Sequence, residues 1–478
     1  MSSRQPGPAG RAQPGTIEAE VREGDYGDRV LAIEPGGAEL IPLSERHGSP
    51  GQLFWTWMSP NLEFATVFVG VIAVLYFGLS FWKAVLAIII GTALGSLTHG
   101  LLSARGPSFG VPQMILSRIS FGHFGNILPA GLNAVTASMG WFAVNSVSGA
   151  LALNALTHLP KALCLVVIVA TQIIIAFFGH NLVHVFERYA FPLLAVVFAL
   201  TAVIILAKSH PGAPVKGVPG GFLITVGATF GYAAGWNPYA ADYTRYFHPD
   251  TARRATALWA GLGVFLSCTI LEIVGAASVT IGSKVSGNPT ADFTSQLPTL
   301  VGKLTLLAIA LGAVAANVIN IYSGAMSFLA LGLRLPLALR RAIIAVAAGT
   351  VGFILALYGL KDAGAKYEGF LLVIAYWIGP WLGVYLTDWY LRRSNRVDGF
   401  PFDRRHNPWA GVSAMLIGMV VSIWLFSNQT KYIGLIPRHY PRFGDITFEV
   451  GFLVAAVLYA VFFALQHDRK AETLVLPS

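Results

Sequence analysis

Apolar runs of about twenty residues recur from residue 53 to residue 465, separated by short stretches rich in Arg, Lys, Gly and Pro. A helix needs about 20 mostly apolar residues to cross a bilayer. That rule divides the chain into twelve spans, at 53–79, 82–102, 125–156, 159–179, 184–206, 221–241, 256–282, 297–331, 339–360, 367–390, 409–428 and 446–465. Spans 3 and 8 are longer than a perpendicular crossing requires, which predicts tilt. The pattern therefore predicts an all-α polytopic membrane protein with one transmembrane domain over residues 51–466. Residues 1–50 form an N-terminal tail rich in Gly, Pro and charge, expected to be largely disordered until near Pro42. Residues 467–478 form a short C-terminal tail. No apolar stretch follows Met1, so no cleavable signal peptide is expected.

Two spans are interrupted. Span 1 carries WTWMSPNLEF, with Pro60 and Asn61 early in the run; span 6 carries FGYAAGWNPYAADY, with Gly235, Asn237 and Pro238 late in it. The two occupy matching places if spans 1–5 and 6–10 are halves of one repeat. Interrupted helices at corresponding positions point to a transporter binding site, because a broken backbone frees N–H and C=O groups for a ligand. The competing reading is a pair of proline kinks with no ligand.

Composition narrows the class. The 478 residues are 55% hydrophobic and only 12% charged, against roughly 25% charged in a soluble domain. Mean hydropathy is +0.64. Too little charge remains to cover a soluble surface, which excludes a cytosolic enzyme, a nucleic-acid binder and a disordered chain. The net charge of +9 is a topology signal. With the N-terminus inside, 21 of the 32 Lys and Arg fall on the inner side, including Arg245, Arg253, Arg254, Arg392 and Arg393. That bias places both termini in the cytosol, with the protein in the plasma (inner) membrane. The basic loop Arg392–His406 reads as an anchor against anionic lipid. Cys164 and Cys268 lie in apolar runs, and His180 and His184 read as loop residues. Neither a disulfide framework nor a metal site is implied.

Four stretches carry a resemblance. RGPSFGVPQMILSRISFGHFG followed by GLNAVTASMGWFAVNSVSGA, GYAAGWNPYAADYTRY on span 6, and AANVINIYSGAMS on span 8 resemble the purine–cytosine permease branch of the nucleobase–cation symporters. The similarity runs from about Trp57 through span 10, with the motifs in the expected order. It implies a LeuT-type five-plus-five inverted repeat with two extra C-terminal helices. It also implies uptake of a nucleobase, cytosine and purines first, driven by a cation gradient.

Trp141 and Asn145 lie four residues apart, on one face of span 3, and Ser138 and Ser148 continue that face. A Trp in a membrane helix is often lipid-facing or interfacial. Trp141 is mid-span beside Gly140 with an amide one turn away, which favours an inward role. The resemblance makes Trp141 a stacking plate, puts Asn145 at the site and makes Trp236, at the break of span 6, a second, facing plate. Stacking on a base contributes about 1–3 kcal/mol and tolerates different bases, so edge hydrogen bonds must supply the choice. Asn317 and Asn320 lie three apart on span 8, and an amide can pair with adjacent donor and acceptor on a base edge. Their alternative role is interhelical glue, at about 0.6 kcal/mol per bond. The resemblance puts an Asn of this region at the substrate and leaves open which of the two. Ser59 and Asn61 are weaker binding candidates.

No cofactor is implied beyond a coupling cation, for which a proton is favoured and sodium is possible. In sodium-coupled relatives, carbonyls of span 1 and hydroxyls of span 8 hold the ion. Here residues 311–315 read Leu-Gly-Ala-Val-Ala, with no hydroxyl. A proton needs only a carboxylate, and an ionisable group inside the membrane is a functional candidate. Glu63, two residues past Asn61, is the first candidate and Glu272, deep in span 7, the second. Glu63 has the alternative of pairing with a basic residue near a helix end. Asp242 with Arg245, and Asp388 with Arg392, read as ion pairs. The expected partners are a nucleobase, the cation and the bilayer, with no nucleic-acid polymer and no enzymatic chemistry. The rivals are a transporter of allantoin, hydantoins or another small heterocycle, and a non-transporting membrane receptor.

Overall fold

The computed structural model describes residues 16–19, 21–22, 37–178, 180–282, 287–332, 340–360, 363–466 and 473–475. Helix occupies all twelve expected spans. Among the described residues, eight helices are long and apolar enough to cross a membrane, nine if the bent pair in span 1 is one crossing. Spans 4 and 9 contain shorter apolar helices, Lys161–Ala176 and Gly349–Gly359. Span 6 is divided between Gly221–Ala234 and Ala240–Thr244.

Both breaks fall where the polar and proline residues are. In span 1, helix Gln52–Met58 tightens into a 3-10 turn, Ser59–Asn61, then restarts as Phe64–Leu75 at an angle of 59°. Leu62 and Glu63 leave the helical region between them. Polar side chains satisfy groups that the break frees: Thr66 donates to the Asn61 carbonyl at 2.6 Å, and the Asn61 amide donates to the Trp57 carbonyl at 2.8 Å. In span 6, Asn237–Tyr239 forms the equivalent turn, and the Asn237 amide donates to Thr98 at 2.7 Å. Span 3 absorbs its extra length in a π-helical turn, Thr136–Trp141, between helices Ile127–Val135 and Phe142–Thr157. Span 8 is one continuous helix, Thr299–Ala330, and lies largely buried.

Close packing replaces hydrophobic drive inside a membrane, so small residues line the contacts. At Gly70 the backbone of span 1 sits against the Glu272 carbonyl of span 7, and at Gly275 that of span 7 sits against the Val67 carbonyl. No side chain larger than hydrogen fits at either position.

The described parts of the N-terminal tail are held, in contrast to the free segment expected. Thr16–Glu18 pairs in parallel with Thr473–Val475. This brings the two ends of the chain to one face. Ile41 is fully buried. Arg46 donates to the carbonyls of Ile41 and Pro107, and Arg245 to that of Gly37. Burial, with the Arg245 charge nearby, lowers the Arg46 guanidinium to about 10. The rest of both tails lies outside the described residues.

The basic loop is half folded in. Arg392 pairs with Asp388 at 2.6 Å, as expected, and the His406 ring stacks on Phe400. Arg393, Arg396, Arg404 and Arg405 stay exposed. His184 does not lie in a loop: span 5 begins one turn earlier, as helix His180–Lys208, and the His184 ring reaches Thr56 of span 1 at 3.5 Å.

Candidate functional site

Two side-chain bonds join the two broken spans, one between the Thr66 and Tyr232 hydroxyls and one through Trp236. Trp236 Nε1 donates to the Asn61 side-chain oxygen at 2.9 Å. Asn61 therefore spends its amide on Trp57 and its oxygen on Trp236, and is a brace between the breaks. Ser59 beside it differs, because its hydroxyl is buried with no hydrogen-bond partner among the described residues.

Three asparagines converge opposite. Asn145 of span 3 and Asn320 of span 8 both donate to the Asn317 side-chain oxygen, at 3.1 and 3.2 Å. The Asn317 amide donates to the Phe142 carbonyl at 2.9 Å and to Ser146 at 3.1 Å. Ser146 leads on to Gln172 of span 4, which returns to the Ala313 carbonyl. Asn317 thus has every bond filled. The side-chain oxygens of Asn145 and Asn320 are buried and unpaired among the described residues. A buried polar group normally has a partner, so two bare acceptors on one triad mark unused bonding capacity.

Trp141 sits at the end of the π-helical turn, 8% exposed. Its ring packs edge-on against Tyr232, Tyr367 and Phe370, at centroid distances of 5.3, 6.2 and 5.1 Å. Gly235 leaves room for its Nε1; a Cβ there would lie 3.1 Å away. Trp236 packs instead against Trp57 and Tyr239, each at 6.0 Å. The two indoles thus have separate sets of ring partners. Each is held by its own ring partners, on either side of the span 6 break. The side chain of Ser138 lies outside the described residues.

Glu63 caps the second half of span 1 in extended conformation and is 1% exposed. Ser148 donates to one of its oxygens at 3.4 Å, and the other is unpaired among the described residues. Among the described residues no Lys or Arg is bonded to it, so the alternative of pairing at a helix end is not seen there. The Glu63 Cβ rests on span 8, 2.8 Å from where a Cβ at Gly312 would stand. Glu272 is equally buried but elsewhere: Thr92 of span 2 donates to it at 2.9 Å, and it faces the span 1–span 7 contact. Asp242 accepts from the Gln113 N–H at 2.9 Å, whereas the Arg245 guanidinium turns to Gly37 and to Tyr322 at 3.1 Å. The expected pairing of Asp242 with Arg245 is thus not a direct hydrogen bond.

A cavity of about 250 Å³ runs from Ser148, Ala65 and Phe370 to Pro289, Tyr358 and Lys366, on the face opposite the termini. Tyr367 and Phe370, which pack on Trp141, line it, as does Ser148, which bonds Glu63. The pattern of the sequence does not single out Tyr232, Tyr367 or Phe370, because their partners lie on other spans. The one usable signal was aromatic residues in apolar runs, which fits any membrane helix.

Comparison with known proteins places this arrangement. The family described as permease for cytosine/purines, uracil, thiamine, allantoin matches residues 40–451. The Bacillus subtilis protein YxlA is 30% identical over 458 residues, covering 92% of this chain and 98% of that one. The purine-cytosine permease fcyB of Emericella nidulans is 28% identical over 460 residues, covering 90% and 88%. Among solved structures, Mhp1, a nucleobase-cation-symport-1 family transporter in a closed conformation with bromovinylhydantoin bound, superposes with a TM-score of 0.70. It is 20% identical and covers 91% of this chain and 95% of its own. The fold is therefore the LeuT-type repeat of Mhp1. A fused pair of broken helices, a buried amide triad and a family match over most of the length agree: the chain belongs to the cytosine/purine permease family and is a multi-pass transporter, not an enzyme.

Proposed function

We propose that this permease imports cytosine and purines across the plasma membrane, with both termini cytosolic, and that a proton drives it. The observation that carries the substrate reading is the amide triad with two bare oxygens beside an indole cage. Cytosine and adenine present an exocyclic amino donor beside a ring-nitrogen acceptor, and hypoxanthine a ring N–H beside a carbonyl. The unpaired oxygens of Asn145 and Asn320 accept from those N–H groups, while Asn317 fixes both side chains. Trp141 gives the ring a flat apolar surface, and Trp236, tied to Asn61, closes the site as the two breaks move. Ser59 supplies one further hydroxyl. The proton reading rests on Glu63, a buried carboxyl at the hinge of span 1 with one oxygen unpaired among the described residues, and on the lack of hydroxyls over residues 311–315. An unpaired carboxylate in the membrane is costly, and a proton removes its charge.

Two expected results test the site. Trp141→Ala should lower cytosine affinity by about tenfold to a hundredfold, the equivalent of roughly 1–3 kcal/mol of stacking, and Trp141→Phe should retain part of it. Equilibrium binding to the detergent-purified protein reads this, and unchanged affinity in the alanine variant would exclude a stacking role. Asn145→Ser and Asn320→Ser should alter the ratio of cytosine to hypoxanthine uptake by about tenfold, since each removes one acceptor worth about 1–3 kcal/mol. Equal loss for every substrate, with a lowered melting temperature, would make the pair packing glue.

A further inference from the structure

A second carboxyl stands at the same hinge. Glu187 of span 5 is fully buried, and neither of its oxygens has a hydrogen-bond partner among the described residues. Span 5 runs beside the first half of span 1: His184 lies against Trp55 and Thr56, so Glu187, one turn on, comes level with Ser59. The Ser59 hydroxyl is set toward that carboxyl, and it too has no hydrogen-bond partner among the described residues. The two carboxyls thus straddle the Ser59–Asn61 turn. Glu63 lies on the side of the cavity, and Glu187 on the side of the termini.

Among the described residues, no charged group on a neighbouring element serves Glu187. On span 5, Arg188 is exposed and His184 turns to Thr56. On span 1, Glu63 is bonded to Ser148. On span 7, Arg253 bonds Ser108, Arg254 is exposed, Cys268 is an uncharged thiol and Glu272 is bonded to Thr92. On span 8, Tyr322 is engaged by Arg245, and Lys303 is exposed near the far end. On span 4, Cys164 and Lys161 are at the end opposite the termini. A bare carboxyl and a bare hydroxyl, facing each other across a hinge without a cation, make a site for a proton.

We propose that Glu187, with Ser59, is a proton-binding site on the termini side of the hinge, from which the coupling proton leaves after Glu63 has received it. The proposal rests on the proton-driven reading above. The O–H bond on Glu63 breaks as one forms on Glu187, leaving the Glu63 carboxylate; the Glu187 O–H then breaks when the first half of span 1 swings away and water reaches it, and water takes the proton. The hinge motion that opens the substrate's exit then also opens the proton's.

The test uses the full chain in proteoliposomes containing a trapped pH-sensitive dye. Wild type should acidify the lumen when cytosine is added outside. Glu187→Gln should keep counterflow of labelled for unlabelled cytosine within about twofold, while the dye response falls at least tenfold. Glu187→Asp should restore part of the response, with a changed dependence on lumenal pH. Counterflow with an unchanged dye response in Glu187→Gln overturns the proposal alone. Loss of counterflow in both variants also overturns it, and makes Glu187 a packing group of the hinge. A wild type that moves no proton, with uptake following sodium, overturns the coupling reading and this proposal together.

Discussion

Asn317→Ala should abolish high-affinity binding of every nucleobase. Among the described residues, this side chain alone bonds to Asn145, Asn320, Ser146 and the Phe142 carbonyl together. Its removal frees two donors at once, so Asn145 and Asn320 lose the bond that aims them. A buried group left unpaired costs about 1–3 kcal/mol, and two or more are left here. The expected loss is about a hundredfold or more in affinity, at 1.4 kcal/mol per tenfold. The loss should be uniform across cytosine, adenine and hypoxanthine, in contrast to the altered ratios expected of its neighbours. Competition binding with labelled cytosine separates the two patterns. An Asn317→Ala carrier with a new preference and intact affinity would make Asn317 an edge reader, not the hub.

Glu63→Gln should uncouple the carrier. The amide mimics the protonated carboxyl in size and charge, so the Ser148 contact and the packing on Gly312 can persist. Exchange of labelled for unlabelled base should therefore continue. Accumulation should collapse, because the variant no longer gains and loses a charge. One proton moving through 100 mV supplies about 2.3 kcal/mol, enough for roughly fiftyfold accumulation. The variant should fall from about that ratio toward one. Steady-state uptake under an imposed inside-negative potential measures it, and a Glu63→Gln carrier that still concentrates cytosine would remove Glu63 from the coupling path.

Much of this protein is legible in its sequence, for identifiable reasons. The twelve spans are readable because the bilayer demands long apolar runs. The breaks are readable because Pro60 and Asn237-Pro238 cannot continue a regular helix. Asn317 and Glu63 stand out because polar groups are rare in such runs. Their bonds do not. Nothing in the order of residues says that Asn61 closes on Trp236, 175 positions away, or that Asn317 receives both other amides. The π-helical turn before Trp141 and the ring partners of that indole depend on packing among spans 3, 6 and 10. Glu187 was visible as a charge in span 5, but its neighbours His184 and Arg188 make the segment look like a helix end, and only the fold shows it at the hinge.

The most direct test of the whole account is initial uptake of labelled cytosine, adenine, hypoxanthine, uracil and allantoin into proteoliposomes, under either an imposed proton gradient or an imposed sodium gradient. The account predicts saturable uptake of cytosine and purines on acidification of the outside, without sodium, and weaker uptake of allantoin. Uptake that needs sodium at every pH, or that favours allantoin over cytosine, would contradict it.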